Sequence, residues 1–434
     1  MRRTAGALLC VVVLAAASTA WAQALAPAAP EEVGLSAQRL ERVGQVFRQE
    51  IDQGKLPGVV LAIARNGRLA YLESFGLRDK AAGAPMPKDA IFRIYSMTKP
   101  LASVAATMLM EEGRLQLTDP VSKWLPEFAT LQVSEMRTDP WGKVTYALVP
   151  AARPPTLQDL LRHTAGLAYG ELTGNAAVKD AYTKAGLFKA SIDYDARDLA
   201  PAEEVERLAK APLAHQPGTT WEYSLAVDLL GRVVEKASGI RLGDFLQQRL
   251  FGPLGMADTG FYVPQEKMGR LAQPLPTDPT TGAPNRLLDV SQPPGNDSGG
   301  AGAVSTATDY LRFAEMMLEG GRLDGVQILS RTTVALMTAD HLGPQIHPVI
   351  TPGEQLMGTL GYTFGLGFMV RQGAGVAGVP GSAGEFMWAG YAGTFFWIDP
   401  QEKLVAVLMT QSPGPSRPYY RRELKQLVYQ AITD

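Results

Sequence analysis

The chain has 434 residues, 46% hydrophobic and 19% charged, which suits a soluble globular protein with a large core in one or two domains. Its formal net charge is −2 and no basic patch stands out, so nucleic acid is not expected as a partner. A single cysteine, Cys10, leaves no material for a disulfide framework or a cysteine metal site.

In chain order, the first 22 residues have the layout of a secretory signal. Arg2 and Arg3 form the charged start, 8–17 the apolar run, and Ala20-Trp21-Ala22 a cleavage site before Gln23. The apolar run is short for a membrane span, so no stable insertion is expected after cleavage. The mature chain, 23–434, then has no cysteine and 39 basic against 43 acidic residues, or −4, and is expected in the periplasm or outside the cell.

Ser36 caps a predicted helix reaching about residue 53. Residues 59–64 read as a strand, Asn66-Gly67 as a hairpin turn, and 69–75 as the return strand. Residues 91–95 read as extended. A helix then begins near Ser96, with Pro100 in its first turn and Gly113 as its stop. From about 115 to 350 the pattern is helix-rich, and the Pro-rich stretches 140–155 and 274–294 carry no periodicity. Strand signals return at 362–370, 385–389, 394–398 and 404–410, before a last helix over 419–432. Strands at both ends around a helical middle predict an α+β fold. One antiparallel sheet is formed by both chain ends, as a subdomain of about 30–115 and 350–434, with a helical subdomain over about 116–349.

Several hydrolase types are excluded by pattern. No G-x-S-x-G is present, so there is no nucleophile elbow of the α/β-hydrolase kind. The four histidines, His163, His215, His341 and His347, contain no H-x-x-x-H pair, and no metal or organic cofactor is implied. His163 reads as structural, at a helix end stopped by Gly166. What remains is Ser96-Met97-Thr98-Lys99. Positions i and i+3 share a helix face, so the lysine can lie beside the serine, whose hydroxyl needs a base to become a nucleophile. An S-x-x-K arises about once by chance in a chain this long, so the context has to decide. Tyr223, before the apolar helix 227–237, is a second polar group at a helix entrance, and alone it reads as a buried structural tyrosine. Trp388-Ala389-Gly390-Tyr391 lies on a late strand, where small residues and a backbone N–H suit the polarising of a carbonyl as well as they suit a glycine-rich bend.

Taken together, these segments resemble the serine β-lactamase and penicillin-binding-protein superfamily, and within it the family VIII carboxylesterases. Ile94-Tyr95-Ser96-Met97-Thr98-Lys99 matches the first motif and Tyr223-Ser224-Leu225-Ala226 the tyrosine motif. Leu160-Leu161-Arg162-His163-Thr164-Ala165-Gly166-Leu167 and Gly299-Gly300-Ala301-Gly302 match two further stretches. The resemblance implies Ser96 as the acylated nucleophile and Lys99 with Tyr223 as general base. It implies an oxyanion hole from the backbone N–H groups of Ser96 and Tyr391. The departures bear on substrate. Where the superfamily usually has Lys-Thr-Gly, this chain has Trp388-Ala389-Gly390. Where the tyrosine motif usually ends in asparagine, it has Leu225. Groups that grip a substrate carboxylate or acylamide are missing, so Trp388, Gly390 and Leu225 are expected to contact neutral, partly apolar esters. The resulting expectation is an exported carboxylesterase acting on small-molecule esters. A β-lactamase or D-amino-acid amidase or peptidase with the same catalytic residues is the alternative, and a non-catalytic scaffold the third. Oligomeric state is not legible.

Overall fold

The computed structural model describes residues 25–187 and 198–434. The predicted leader therefore lies outside the described residues. Among those described, no helix is long and apolar enough to cross a membrane.

The chain enters through α1 (Ala37–Asp52), whose N-cap Ser36 accepts from Arg39 N–H at 3.3 Å. It continues into the hairpin β1 (Gly58–Arg65) and β2 (Arg68–Asp79). Asn66 (φ 54°) and Gly67 (φ 73°) are both left-handed, as a two-residue turn matched to strand twist requires. After β3 (Ala84–Pro85) come α2 (Thr98–Glu111), α3 (Ala226–Ser238) and α4 (Ala307–Leu318). The end of the chain supplies β4 (Tyr362–Phe364), β5 (Met369–Arg371), β6 (Phe386–Ala389), β7 (Phe395–Asp399), β8 (Leu404–Thr410) and α5 (Arg417–Tyr429).

All eight strands form one antiparallel sheet in the order β4-β5-β6-β7-β8-β1-β2-β3. The two ends of the chain meet at its centre, where Val59 pairs with Thr410 and Arg65 with Leu404. Every residue of β1, β7's apolar run and β8 is buried, so both faces of the sheet centre are covered. Helix α4 packs on β1, β7 and β8, and α1 on β2 and α5. Helix α2 packs against α3 and is enclosed all round, with every residue from Thr98 to Leu109 buried.

Two expectations need correction. Residues 362–370 are not one strand but the paired strands β4 and β5, because Gly365 and Gly367 (φ 89°) turn the chain between them. The stretch 140–155 is not aperiodic loop throughout. Val144–Pro150 is a strand paired with Gln132–Thr138 in a separate hairpin. Its exposure on both faces removed the apolar alternation that reveals a strand.

Candidate active site

Ser96 sits in a single 3₁₀ turn, Tyr95–Met97, that leads directly into α2. Tyr95 is in the left-handed region (φ 45°), a conformation that costs a non-glycine residue about 1–3 kcal/mol and is kept only where its surroundings impose it. Those surroundings are a set of hydrogen bonds. Ile94 N–H donates to Ala303 O at 3.0 Å, and Leu288 N–H donates to the Tyr95 hydroxyl at 2.9 Å. Thr98 Oγ1 donates to Tyr95 O at 2.6 Å and accepts from Ala303 N–H at 3.0 Å. Tyr310, from α4, donates to Met97 O at 2.8 Å. The nucleophile turn is thus fixed from the glycine-rich segment and from the sheet-packing helix at once.

One turn on, the buried Lys99 places Nζ 3.4 Å from Ser96 Oγ. Its two shorter bonds run to the Tyr169 hydroxyl at 2.8 Å and to Gly300 O at 2.9 Å. Nζ also lies 4.5 Å from the centroid of the Tyr223 ring. That ring is boxed by His163, Tyr169 and Trp388 at 5.0, 5.1 and 5.2 Å between centroids. The box fixes the ring by packing, and among the described residues the buried Tyr223 hydroxyl makes no well-formed hydrogen bond, though it lies near enough to the Tyr169 hydroxyl to help hold that phenol's pKa up. Ser96, Lys99 and Tyr223 are therefore brought together.

Three groups around them were not read from the sequence. Tyr169 lies two residues beyond the Leu160-to-Leu167 stretch, close enough to have been suspected. Burial pushes its phenol well above the usual value, which keeps it protonated. Asp228, on α3, accepts from Gly300 N–H at 3.1 Å and from the Ser298 hydroxyl at 2.5 Å. Ser298 Oγ in turn accepts from Ala301 N–H at 3.0 Å, so Asp228 steadies both sides of Gly300, whose carbonyl holds Lys99. A Cβ at residue 300 would collide with this carboxylate, which is why glycine stands there. Burial raises the Asp228 carboxyl, while the nearby Lys99 ammonium opposes the rise. The third group is a pair of arginines on α5, Arg417 and Arg421, which line the opposite wall.

That wall is the end of β6. Trp388, Gly390 and Tyr391 line, with Ser96 and Tyr223, a cavity of about 310 Å³. Tyr391 packs on Tyr95 with centroids 5.4 Å apart. Gly390 lines the cavity, but the space a Cβ would need is filled by the Ile94 carbonyl and Thr394 Oγ1. Its glycine serves close backbone packing rather than room for a ligand. Arg421 donates to Gly390 O at 3.1 Å and Arg417 to Tyr391 O at 3.0 Å. Leu225 is not part of this lining. It is 1% exposed and caps α3 from within the core, because its chain turns there to start the helix. His163 does not touch Ser96. Its Nδ1 is 3.1 Å from Ser224 Oγ, and burial together with Lys99 pushes its pKa well below the ordinary histidine value. Among the described residues no group of three or more His, Cys, Asp or Glu is placed to hold a metal ion.

The Beta-lactamase family model matches residues 43–430 of this chain. The chain belongs to the beta-lactamase family. It is 32% identical over 393 residues to Esterase EstB of Burkholderia gladioli, across 86% of this chain and 90% of that one. It is 30% identical over 400 residues to the Lovastatin esterase of Penicillium rubens, across 88% and 95%. Among solved structures it resembles EstCE1, a hydrolase with promiscuous acyltransferase activity, at 30% identity and a TM-score of 0.74 over 90% and 99% of the two chains. Within the beta-lactamase family this chain is a serine hydrolase of the carboxylesterase type.

Proposed function

We propose that the protein is an exported carboxylesterase that cleaves neutral short- to medium-chain esters through an acyl-enzyme on Ser96. The observation that carries this reading is the 3.4 Å approach of Lys99 Nζ to Ser96 Oγ at an aromatic cavity whose late-strand position holds Trp388 in place of a cation. Lys99 Nζ is held beside the serine hydroxyl by its bonds to the Tyr169 hydroxyl and Gly300 O. Lys99 and Tyr223 share the general-base work, and Tyr223 carries the proton onward to the leaving alkoxide. The backbone N–H groups of Ser96 and Tyr391 hold the tetrahedral oxyanion. Trp388 offers the acyl or alcohol group an apolar surface, and water then releases the acid. The leader over 1–22 supports export to the periplasm or medium.

A panel of p-nitrophenyl acetate, p-nitrophenyl butyrate and nitrocefin tests this. Ester turnover is expected to exceed nitrocefin turnover, and Ser96→Ala to lose at least about 1,000-fold in ester kcat. A larger kcat/KM for nitrocefin would move the reading to a β-lactamase or amidase using the same residues. A Ser96→Ala protein as active as the parent would end it.

A second reading is favoured by the aromatic lining and by the likeness to EstCE1, whose acyltransferase activity accompanies its hydrolase activity. In it, the acyl group passes to an added alcohol in competition with water. Transester product in the presence of butanol would support it.

A further inference from the structure

Helix α5 carries two buried cations one turn apart, and they are treated differently. Lys425 pairs with Glu385 at 2.6 Å, and Glu385 also binds the buried Arg371 at 3.1 Å. Arg421 is 4% exposed and, among the described residues, forms no ion pair with a carboxylate. It donates to two backbone carbonyls, Leu356 O at 2.7 Å and Gly390 O at 3.1 Å, and its Nε has no partner. A buried cation without a counter-charge is costly, and a neutral amide would clamp two carbonyls as well. An uncompensated guanidinium therefore calls for a reason other than holding the loop.

The reason lies in the peptide it touches. Peptide units are planar, and no cis bond is present among the described residues. The Gly390 carbonyl and the Tyr391 N–H are thus opposite edges of one trans plane. A cation on the carbonyl oxygen draws electron density along that plane and makes the N–H a stronger donor. The plane also cannot rotate away. Gly390 N–H donates to Thr394 O at 2.8 Å, Gly390 is wedged against Ile94, and the next carbonyl, Tyr391 O, is held by Arg417 at 3.0 Å.

We propose that Arg421 is a positioning residue for acyl transfer: it fixes and polarises the Gly390–Tyr391 peptide so that the Tyr391 N–H meets the oxyanion. This rests on the Ser96 esterase reading above. In the step concerned, the Ser96 Oγ–carbon bond forms, the carbonyl π pair moves onto oxygen, and the serine proton passes to the Lys99/Tyr223 base. Arg421 lines the cavity, but its hydrogen bonds go to main-chain carbonyls rather than to Ser96, Lys99 or Tyr223. It acts on the charge that appears only as the tetrahedral state forms, so its effect belongs in kcat rather than KM.

The test compares the parent with Arg421→Met, Arg421→Gln and Arg421→Lys, using p-nitrophenyl butyrate, phenylboronic acid and infrared spectra of the trapped acyl-enzyme. Arg421→Met and Arg421→Gln are expected to lower kcat about tenfold, short of the ~100- to 1,000-fold typical of losing an oxyanion donor outright, with KM little changed. Phenylboronate, which binds as a tetrahedral anion, is expected to weaken by a similar factor, and the acyl carbonyl stretch to move to higher wavenumber. Arg421→Lys, which keeps the charge, is expected to recover much of each. Should Arg421→Met fail to fold, Arg421→Gln carries the test, since its amide still bonds a carbonyl. Folded neutral variants with parental kcat and carbonyl frequency would overturn the proposal. So would a loss seen equally in KM with the boronate unaffected. A parent that forms no adduct on Ser96 by mass spectrometry would instead overturn the esterase reading itself.

Discussion

The two walls of the cavity are built on different principles. On the helical wall, Ser96, Lys99, Tyr169, Tyr223 and Asp228 are linked or packed through their side chains, and each is able to give or take a proton. On the sheet wall, Trp388 to Tyr391 are held through their main chain, and the arginines of α5 direct their donors to carbonyl oxygens. One wall is arranged to move protons and the other to hold still. Side-chain changes on the first should therefore act on turnover, and trimming Trp388 on the second on stability and on which ester is accepted, while the main-chain donor that Arg421 positions on that wall still acts on turnover.

The sharpest way to break this division is Tyr223→Phe. It is expected to cost about 100- to 10,000-fold in kcat, the range of general acid–base catalysis. The melting temperature should change little, because the ring stays boxed by His163, Tyr169 and Trp388. Ester kinetics and a thermal melt on one preparation check both halves, and activity within tenfold of the parent would remove Tyr223 from the chemistry. On the opposite wall, Trp388→Ala should behave in reverse. The indole is 1% exposed, so its loss is expected to cost about 3–5 kcal/mol in urea denaturation. KM for apolar esters should rise more than kcat falls. A kcat effect as large as that of Tyr223→Phe would show that the walls are not separable.

The smallest effect concerns His163, which stands behind Tyr223. Its pKa in the folded protein is depressed by burial and by Lys99, so below the ordinary value of about 6.5 the unfolded chain binds a proton that the folded one refuses. The His163 contribution to stability should then fall as pH drops below that value, by up to about 1.4 kcal/mol per pH unit, and be flat above it. His163→Asn should flatten this slope, since asparagine does not titrate and tolerates the left-handed backbone (φ 57°). Urea midpoints between pH 5 and 8 decide it. An unchanged slope would place the acid sensitivity elsewhere.

Local signals carried much of this structure. Ser36 capped the helix it announces, Asn66-Gly67 made the turn, and 404–410 is the strand expected. The Ser96, Lys99 and Tyr223 segments also converge as their order along the chain implied. What escaped was set by distant contacts. Asp228 is an ordinary helix acid until Gly300 folds onto it, 72 positions away. Arg421 sits among Arg417, Arg422 and Lys425, a run that reads as a solvated face although Arg421 and Lys425 are buried. Leu225 took the place of a polar motif residue and was read as facing the ligand, whereas its apolar side chain joined the core.

The pairing of β1 with β8 has a consequence in time. The strand that fills the middle of the sheet, and the helix whose arginines hold the cavity wall, are made long after Ser96 and Lys99. The serine and its lysine are synthesised before the strand that joins the two halves of the sheet, so their supporting layer is incomplete until β8 is made. A chain cut short before β8 would lose the centre of its sheet rather than an edge.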